Sequence, residues 1–142
     1  MLQVKNLSVS MSQARQTAPA SNKGIFADEG EALSEVVNRL VKAFDPASVW
    51  LFGSRAEGRS RPDSDFDLLL VAKPEGGFGS KDYECVVAPL IGLGVGCDVV
   101  PCSAEDFEEA AGIKTSLIAQ ILALGRELYM AKSENVTLLP IC

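Results

Sequence analysis

The sequence predicts an α+β domain with α/β character, a small mixed sheet flanked by helices. Three observations predict it. A long apolar stripe at helical spacing runs from Leu33 to Phe44. Three short apolar runs, each bounded by turn residues, follow at 49–52, 66–72 and 95–100. Helical and strand-like segments alternate along most of the chain. At 142 residues and 47% apolar, the chain suits one domain with a real core. The expected division is a flexible N-terminal segment over 1–27, a folded domain over 28–131 and a C-terminal tail over 132–142.

Residues 1–27 are rich in Ser, Gln, Ala and Asn and hold no sustained period. At least 11–24 reads as a flexible lead-in. Residues 2–9 alternate weakly and admit an edge strand or an oligomer contact as well as a disordered tail. Leu33, Val36, Val37, Leu40, Val41 and Phe44 then share one helical face. Asp28 with Glu31 fits an N-terminal capping box. Asp45-Pro46 ends the helix, because proline disfavours helical geometry in the residue before it. Val49–Phe52 reads as a buried strand ending at Gly53, and Ser54–Ser64 as a polar turn. Phe66–Ala72 is a second strand and Lys73–Ser80 a loop. Lys81–Ile91 reads as helical, broken around Pro89. Val95–Val100 is a third strand, stopped by Pro101. Ser103 caps a short helix, and Ala110, Ile113, Leu117, Ile121 and Leu124 space out a longer one ended by Gly125, a stripe expected to cover the sheet. Glu127–Ala131 adds an edge strand.

Composition excludes several chemistries. Thirteen basic against 19 acidic residues give a net charge of −6. That acidic balance repels phosphate backbones and argues against a dedicated DNA or RNA binder, without excluding a nucleotide held by a local site. There is no histidine, which removes histidine acid/base catalysis and histidine metal sites. Cys85, Cys97, Cys102 and Cys142 form no C-x-x-C pair, so a zinc site is not expected. They read as reduced thiols of a cytoplasmic protein, with Cys85 and Cys97 as small core residues. No continuous apolar run of a secretory signal is visible, and the longest uncharged stretch, Cys85–Cys97, is too short to span a membrane.

The chemistry concentrates between Gly53 and Asp98. On a strand, residues i and i+2 share a face, so Asp65 and Asp67 project together. Two such charges at ~4 Å repel by about 1 kcal/mol in water and about 4 at an effective dielectric near 20. A divalent cation or a shared proton relieves that repulsion, and hard oxygen ligands suit Mg²⁺ or Mn²⁺. Asp98 interrupts an apolar strand, where a lone carboxylate is costly unless paired, exposed at a strand end or bound to metal. Gly53 allows a phosphate close to the backbone, and Ser54 adds a hydroxyl donor. Arg55, Arg59 and Arg61 lie beside them as candidate phosphate contacts or as a solvated turn. Trp50 admits base stacking, but within an apolar run it reads first as core.

Together these residues resemble the minimal nucleotidyltransferases of the DNA polymerase beta type. The matching pattern is an apolar strand (Val49–Phe52), Gly53-Ser54, a loop of ten residues, Asp65-Phe66-Asp67 inside an apolar strand, and a third carboxylate, Asp98, on a later strand. Glu57 departs from it, since many relatives carry a basic residue there. The resemblance implies a nucleotidyltransferase fold over roughly 30–130. It implies that Asp65 and Asp67 hold Mg²⁺ or Mn²⁺ on a nucleoside triphosphate such as ATP. Asp98 would help hold a second ion and take the acceptor's proton. Gly53, Ser54 and Arg55 would contact the phosphates. The implied reaction moves a nucleoside monophosphate to a hydroxyl, with a protein acceptor such as a HEPN-type toxin, or a second copy completing the acceptor site. A non-catalytic nucleotide-binding antitoxin or interaction module, and a small-molecule enzyme of the aminoglycoside-modifying kind, are the alternatives. The latter kind carries a further helical domain, and only 44 residues follow Asp98.

Overall fold

The computed structural model describes residues 21–132. The expectations for 1–20, Cys142 and the tail from 133 onward lie outside the described residues.

Helix α1 spans Glu29–Phe44 and buries Ala32, Val36 and Leu40. Asp28 caps it, its Oδ1 accepting the Glu31 N–H at 2.9 Å. Glu31 Oε1 reaches back to the Ala27 N–H at 3.2 Å, one residue earlier than a standard capping box. The helix ends where expected, but not by extension before Pro46. Asp45 takes left-handed geometry at φ 47°, which a short polar side chain tolerates, and its N–H closes onto the Val41 carbonyl.

Among the described residues four strands form one mixed sheet in the order β3-β2-β1-β4: β1 is Ser48–Phe52, β2 Phe66–Val71, β3 Cys97–Cys102 and β4 Arg126–Met130. β1 runs antiparallel to both β2 and β4, and β2 runs parallel to β3. Pro101 does not stop β3. It sits within the strand opposite Leu70, and the sheet's edge tolerates the missing N–H.

Both faces of the sheet are covered, which is why Leu68, Leu69 and Leu70 are all fully buried in succession. Val49, Leu51, Phe66, Leu68, Leu70 and Val99 pack beneath α1 together with Phe78, Val86 and Leu90. The last two belong to α2 (Tyr83–Val87) and the 3₁₀ turn Ala88–Leu90, which make up the helical stretch expected to break at Pro89. Leu69, Val71 and Cys102 face the other way, onto Ile118 and Ile121.

That second cover differs from the expected single long helix. It comprises α3 (Ala104–Ala111), capped by Ser103, and α4 (Leu117–Leu124), capped by Ser116. Ser116 Oγ accepts the Ala119 N–H at 3.0 Å and restarts the helix after a turn at Gly112. The break takes Ile113 out of the stripe. Ile121 is buried, whereas Ile113, Leu117 and Leu124 are about half exposed or more. Cys85 is also exposed rather than core; Cys97 is partly buried and Cys102 buried.

Residues 21–27 are not a free lead-in. The Asn22 N–H donates to the Pro62 carbonyl at 2.8 Å, and the Ile25 N–H to that of Leu93 at 3.3 Å. No helix among the described residues is long and apolar enough to cross a membrane.

Candidate active site

Asp67 is the second residue of β2 and pairs in register with Asp98 on parallel β3. Paired residues of adjacent strands share a face. Both carboxylates therefore lie on the side of the sheet that carries α3 and α4, opposite the side covered by α1. Asp67 is half-buried and Asp98 exposed. The Asp67 carboxyl is held above its ordinary value, first by burial, then by the negative charge of Asp98, then by that of Asp65.

Asp65 immediately precedes β2. Its carboxylate lies against Gly96, where any Cβ would collide with Oδ1. Its charge, after burial, helps push the neighbouring Cys97 thiol up to about 12. Cys97 is therefore a neutral packing residue rather than a nucleophile. Among the described residues no three acidic or thiol groups are gathered closely enough, as posed, to enclose a metal ion. Asp67 and Asp98 come together; Asp65 stands beside them, turned toward β3.

Gly53 opens a 3₁₀ turn, Gly53–Arg55, at the end of β1. Its φ is +77°, and the space a Cβ would fill is taken by the Asp67 carboxylate. The turn is thus seated directly on the acidic pair. Its carbonyl accepts the N–H groups of Ala56 and Glu57, both at 3.1 Å. Among the described residues the Ser54 hydroxyl makes no hydrogen bond.

Arg55 is differently employed from the expected phosphate contact. Its side chain is only 9% exposed, and its guanidinium pairs with Glu29 at 2.9 Å. Nε donates to the Ser64 carbonyl at 2.9 Å, and Nη2 to the carbonyls of Pro62 at 3.0 Å and Arg61 at 3.3 Å. The plane stacks on Phe66, 4.3 Å from the ring centroid. Arg55 therefore ties the 54–64 loop to α1. Arg59 pairs with Glu57, the residue that departs from the family pattern. Arg61 remains exposed. Trp50 is a packing residue on the face of Leu69 and Ile121, and its Nε1 donates to Ser48 Oγ at 3.1 Å.

Beside Gly53 a recess of about 150 Å³ is lined by Phe52, Glu57, Leu117, Gln120 and Leu124. It is smaller than the roughly 300 Å³ at which ligand pockets begin, so it does not by itself enclose a nucleotide. A larger hollow of about 490 Å³, lined by Glu35, Arg39 and Pro89, borders α1 on the opposite side of the sheet from the carboxylates.

Two signals were absent from the motifs. The Arg55–Glu29 pair and the Asn22 side chain, which bonds Ser64 and Gly96, join segments far apart in sequence.

Residues 32–123 match the family model described as a nucleotidyltransferase domain. Among solved structures, a Sulfolobus solfataricus protein provisionally described as a nucleotidyltransferase is 26% identical. That match covers 54% of this chain and 68% of that one, with a TM-score of 0.42. A toxin–antitoxin structure with AMP-PNP is 19% identical over 72% of this chain and 77% of that one, with a TM-score of 0.48. No curated protein matches the chain.

Proposed function

The chain belongs to the nucleotidyltransferase domain family, a family of enzymes, and from that premise we propose that it moves a nucleoside monophosphate from a nucleoside triphosphate, ATP first, to a hydroxyl on a partner protein. The observation that carries this reading is the in-register pairing of Asp67 with Asp98 beneath the Gly53 turn. It sets an acidic end beside the Gly53 backbone and the Ser54 hydroxyl, the two halves a metal-bound triphosphate needs.

Asp65, Asp67 and Asp98 would hold a divalent cation, Mg²⁺ or Mn²⁺. The donor set fits such an ion in kind: it is all oxygen, and the Asp67 carboxyl is raised first by burial and then by the charges of Asp98 and Asp65, which a bound cation would offset. Bound there, the ion neutralises phosphate charge and makes an acceptor hydroxyl more acidic. The Gly53 backbone and the Ser54 hydroxyl orient the β- and γ-phosphates. A carboxylate oxygen of Asp98 accepts the proton as the acceptor oxygen bonds to the α-phosphorus. The bridging P–O bond breaks and pyrophosphate leaves. Arg55 acts from behind, holding the loop that ends at Asp65.

A protein acceptor is supported by what surrounds the recess. It is too small to enclose both substrates, and Leu117 and Leu124 on its rim expose apolar surface. A helical toxin of the HEPN type, in the cytoplasm, is one such acceptor; a second copy is another. The test is intact-mass measurement of a candidate partner incubated with the full chain, ATP and Mg²⁺. One nucleotide adduct is expected, and none with Asp67→Asn. Transfer that survives Asp67→Asn, or efficient modification of small hydroxyl compounds by a dilute monomer, overturns the reading.

A further inference from the structure

Asn22 lies outside the matched family residues and outside every motif described above. Its part-buried side-chain amide sits between the two acidic segments. Nδ2 donates to the Ser64 carbonyl at 3.0 Å and to the Gly96 carbonyl at 2.9 Å. Oδ1 accepts the Gly96 N–H at 2.7 Å. Only one orientation of the amide satisfies all three partners. The backbone N–H adds a bond to the Pro62 carbonyl at 2.8 Å.

The partners stand at informative places. Ser64 immediately precedes Asp65. Gly96 lies two residues before Asp98, and its carbonyl also accepts the Phe66 N–H at 3.0 Å, next to the first β2–β3 pair. Asp65 itself precedes the strand, so the ladder does not hold it. On its C-terminal side the Phe66 N–H bond to Gly96 joins its segment to β3, and on its N-terminal side the Asn22 amide does so through Ser64. The contact is also tight, because the Asp65 carboxylate fills the space a Gly96 Cβ would take. Any slippage of Ser64 against Gly96 moves Asp65 relative to Asp98.

We infer that Asn22 is a positioning residue: its amide helps set the spacing of the Asp65–Asp67 segment from the Asp98 strand and so aligns the segments that carry the carboxylates. This rests on the reading of that site given above. A carboxylate whose backbone is held in place has less to reorder when a cation binds, and groups that orient metal ligands typically contribute ten- to a hundredfold in affinity. Alanine at 22 deletes all three side-chain bonds and leaves the Gly96 N–H without its acceptor.

The test uses the full chain with Asn22→Ala, Asn22→Ser, Asp67→Asn and, as a remote control, Asn38→Ala on the exposed side of α1. Mn²⁺ binding is followed by electron paramagnetic resonance, Gly96 amide exchange by NMR, and transfer by kcat and KM for ATP. Expected for Asn22→Ala are about tenfold weaker Mn²⁺ binding, faster Gly96 exchange, and a fall in kcat larger than any rise in KM. Asn22→Ser shows the same pattern and gives the readout if the alanine variant does not fold. The Asn38→Ala control matches the parent. Parental Mn²⁺ affinity and kcat in a folded Asn22 variant, with both lost in Asp67→Asn, overturn the role of Asn22 alone. A parent chain that binds no Mn²⁺, or an Asp67→Asn variant that binds it equally well, overturns the site reading and this inference with it.

Discussion

Asp67 and Asp98 occupy one rung of the parallel β2–β3 pair, and the carboxylate of Asp67 also fills the place of the missing Gly53 side chain. One residue thus joins the acidic pair to the turn proposed to hold phosphate. The arrangement has a cost in the metal-free fold, visible in the raised Asp67 pKa. A carboxyl that holds its proton more tightly when folded confers its full stability below the ordinary value of 3.8. That stability is lost as pH rises through the raised value.

Replacing Asp67 by Asn removes this penalty. Metal-free Asp67→Asn is expected to melt a few degrees above the parent near neutral pH. The gain should vanish as the pH is brought below 3.8, where the parent's own carboxyl is protonated in both states. Mn²⁺ should raise the melting temperature of the parent but not of the variant. Thermal unfolding against pH, with and without Mn²⁺, checks all three. An Asp67→Asn chain that unfolds would make the residue structural.

Gly53→Ala tests the junction from the other side. The new methyl group meets the Asp67 carboxylate, and its backbone must still hold φ +77°. Left-handed geometry costs a non-glycine residue about 1–2 kcal/mol, and displaced Asp67 should lose Mn²⁺ affinity as well. Urea unfolding and Mn²⁺ titration together check the prediction. A loss of stability with parental Mn²⁺ binding would show that Asp67 simply rotates away.

Strand and site order were legible because each signal was local. The apolar runs, the Asp65-Phe66-Asp67 alternation and the Asp28 and Ser103 caps all act within a few residues. What was not legible depended on distant contacts. Pro101 would stop an interior strand, but among the described residues β3 lies at the sheet's edge. Arg55 looked like a phosphate ligand because it follows Gly53-Ser54, yet Glu29 and Phe66 claim its guanidinium. Asn22 sits in a polar segment with no period, and its partners lie 42 and 74 residues away.

Arg55 and Glu29 give a pH dependence opposite to that of Asp67. The Ser21 hydroxyl first, then Arg55, hold the Glu29 carboxyl below its ordinary 4.5. Its contribution is therefore present above 4.5 and is lost as pH falls through the lowered value. Glu29→Gln should lower stability near neutral pH by about 1 kcal/mol, because the pair is partly solvated, and the difference should close in acid. Arg55→Ala also loses the carbonyl bonds and the Phe66 stack, so about 2–4 kcal/mol is expected. Urea unfolding against pH checks both. An Arg55→Ala chain of parental stability with a raised KM for ATP would restore the phosphate role.

Helically spaced Ile113, Leu117, Ile121 and Leu124 suggest one stripe of equal members. The cap at Ser116 separates Ile113 from the other three, and within α4 it is Ile118 and Ile121 that meet the sheet. Ile121 is 1% exposed, whereas Leu117 is 48% and Leu124 58% exposed. Truncating a buried Ile removes its transfer energy and leaves a cavity, so Ile121→Ala should cost about 2–5 kcal/mol. Leu117→Ser and Leu124→Ser remove contacts that water already shares, and each should stay within about 0.5 kcal/mol of the parent. The helix-propensity loss of serine is similarly small, so it does not blur the contrast. Urea midpoints of the three variants at equal, low protein concentration decide the matter. Comparable losses at positions 117, 121 and 124 would mean that the stripe covers the sheet as one face after all.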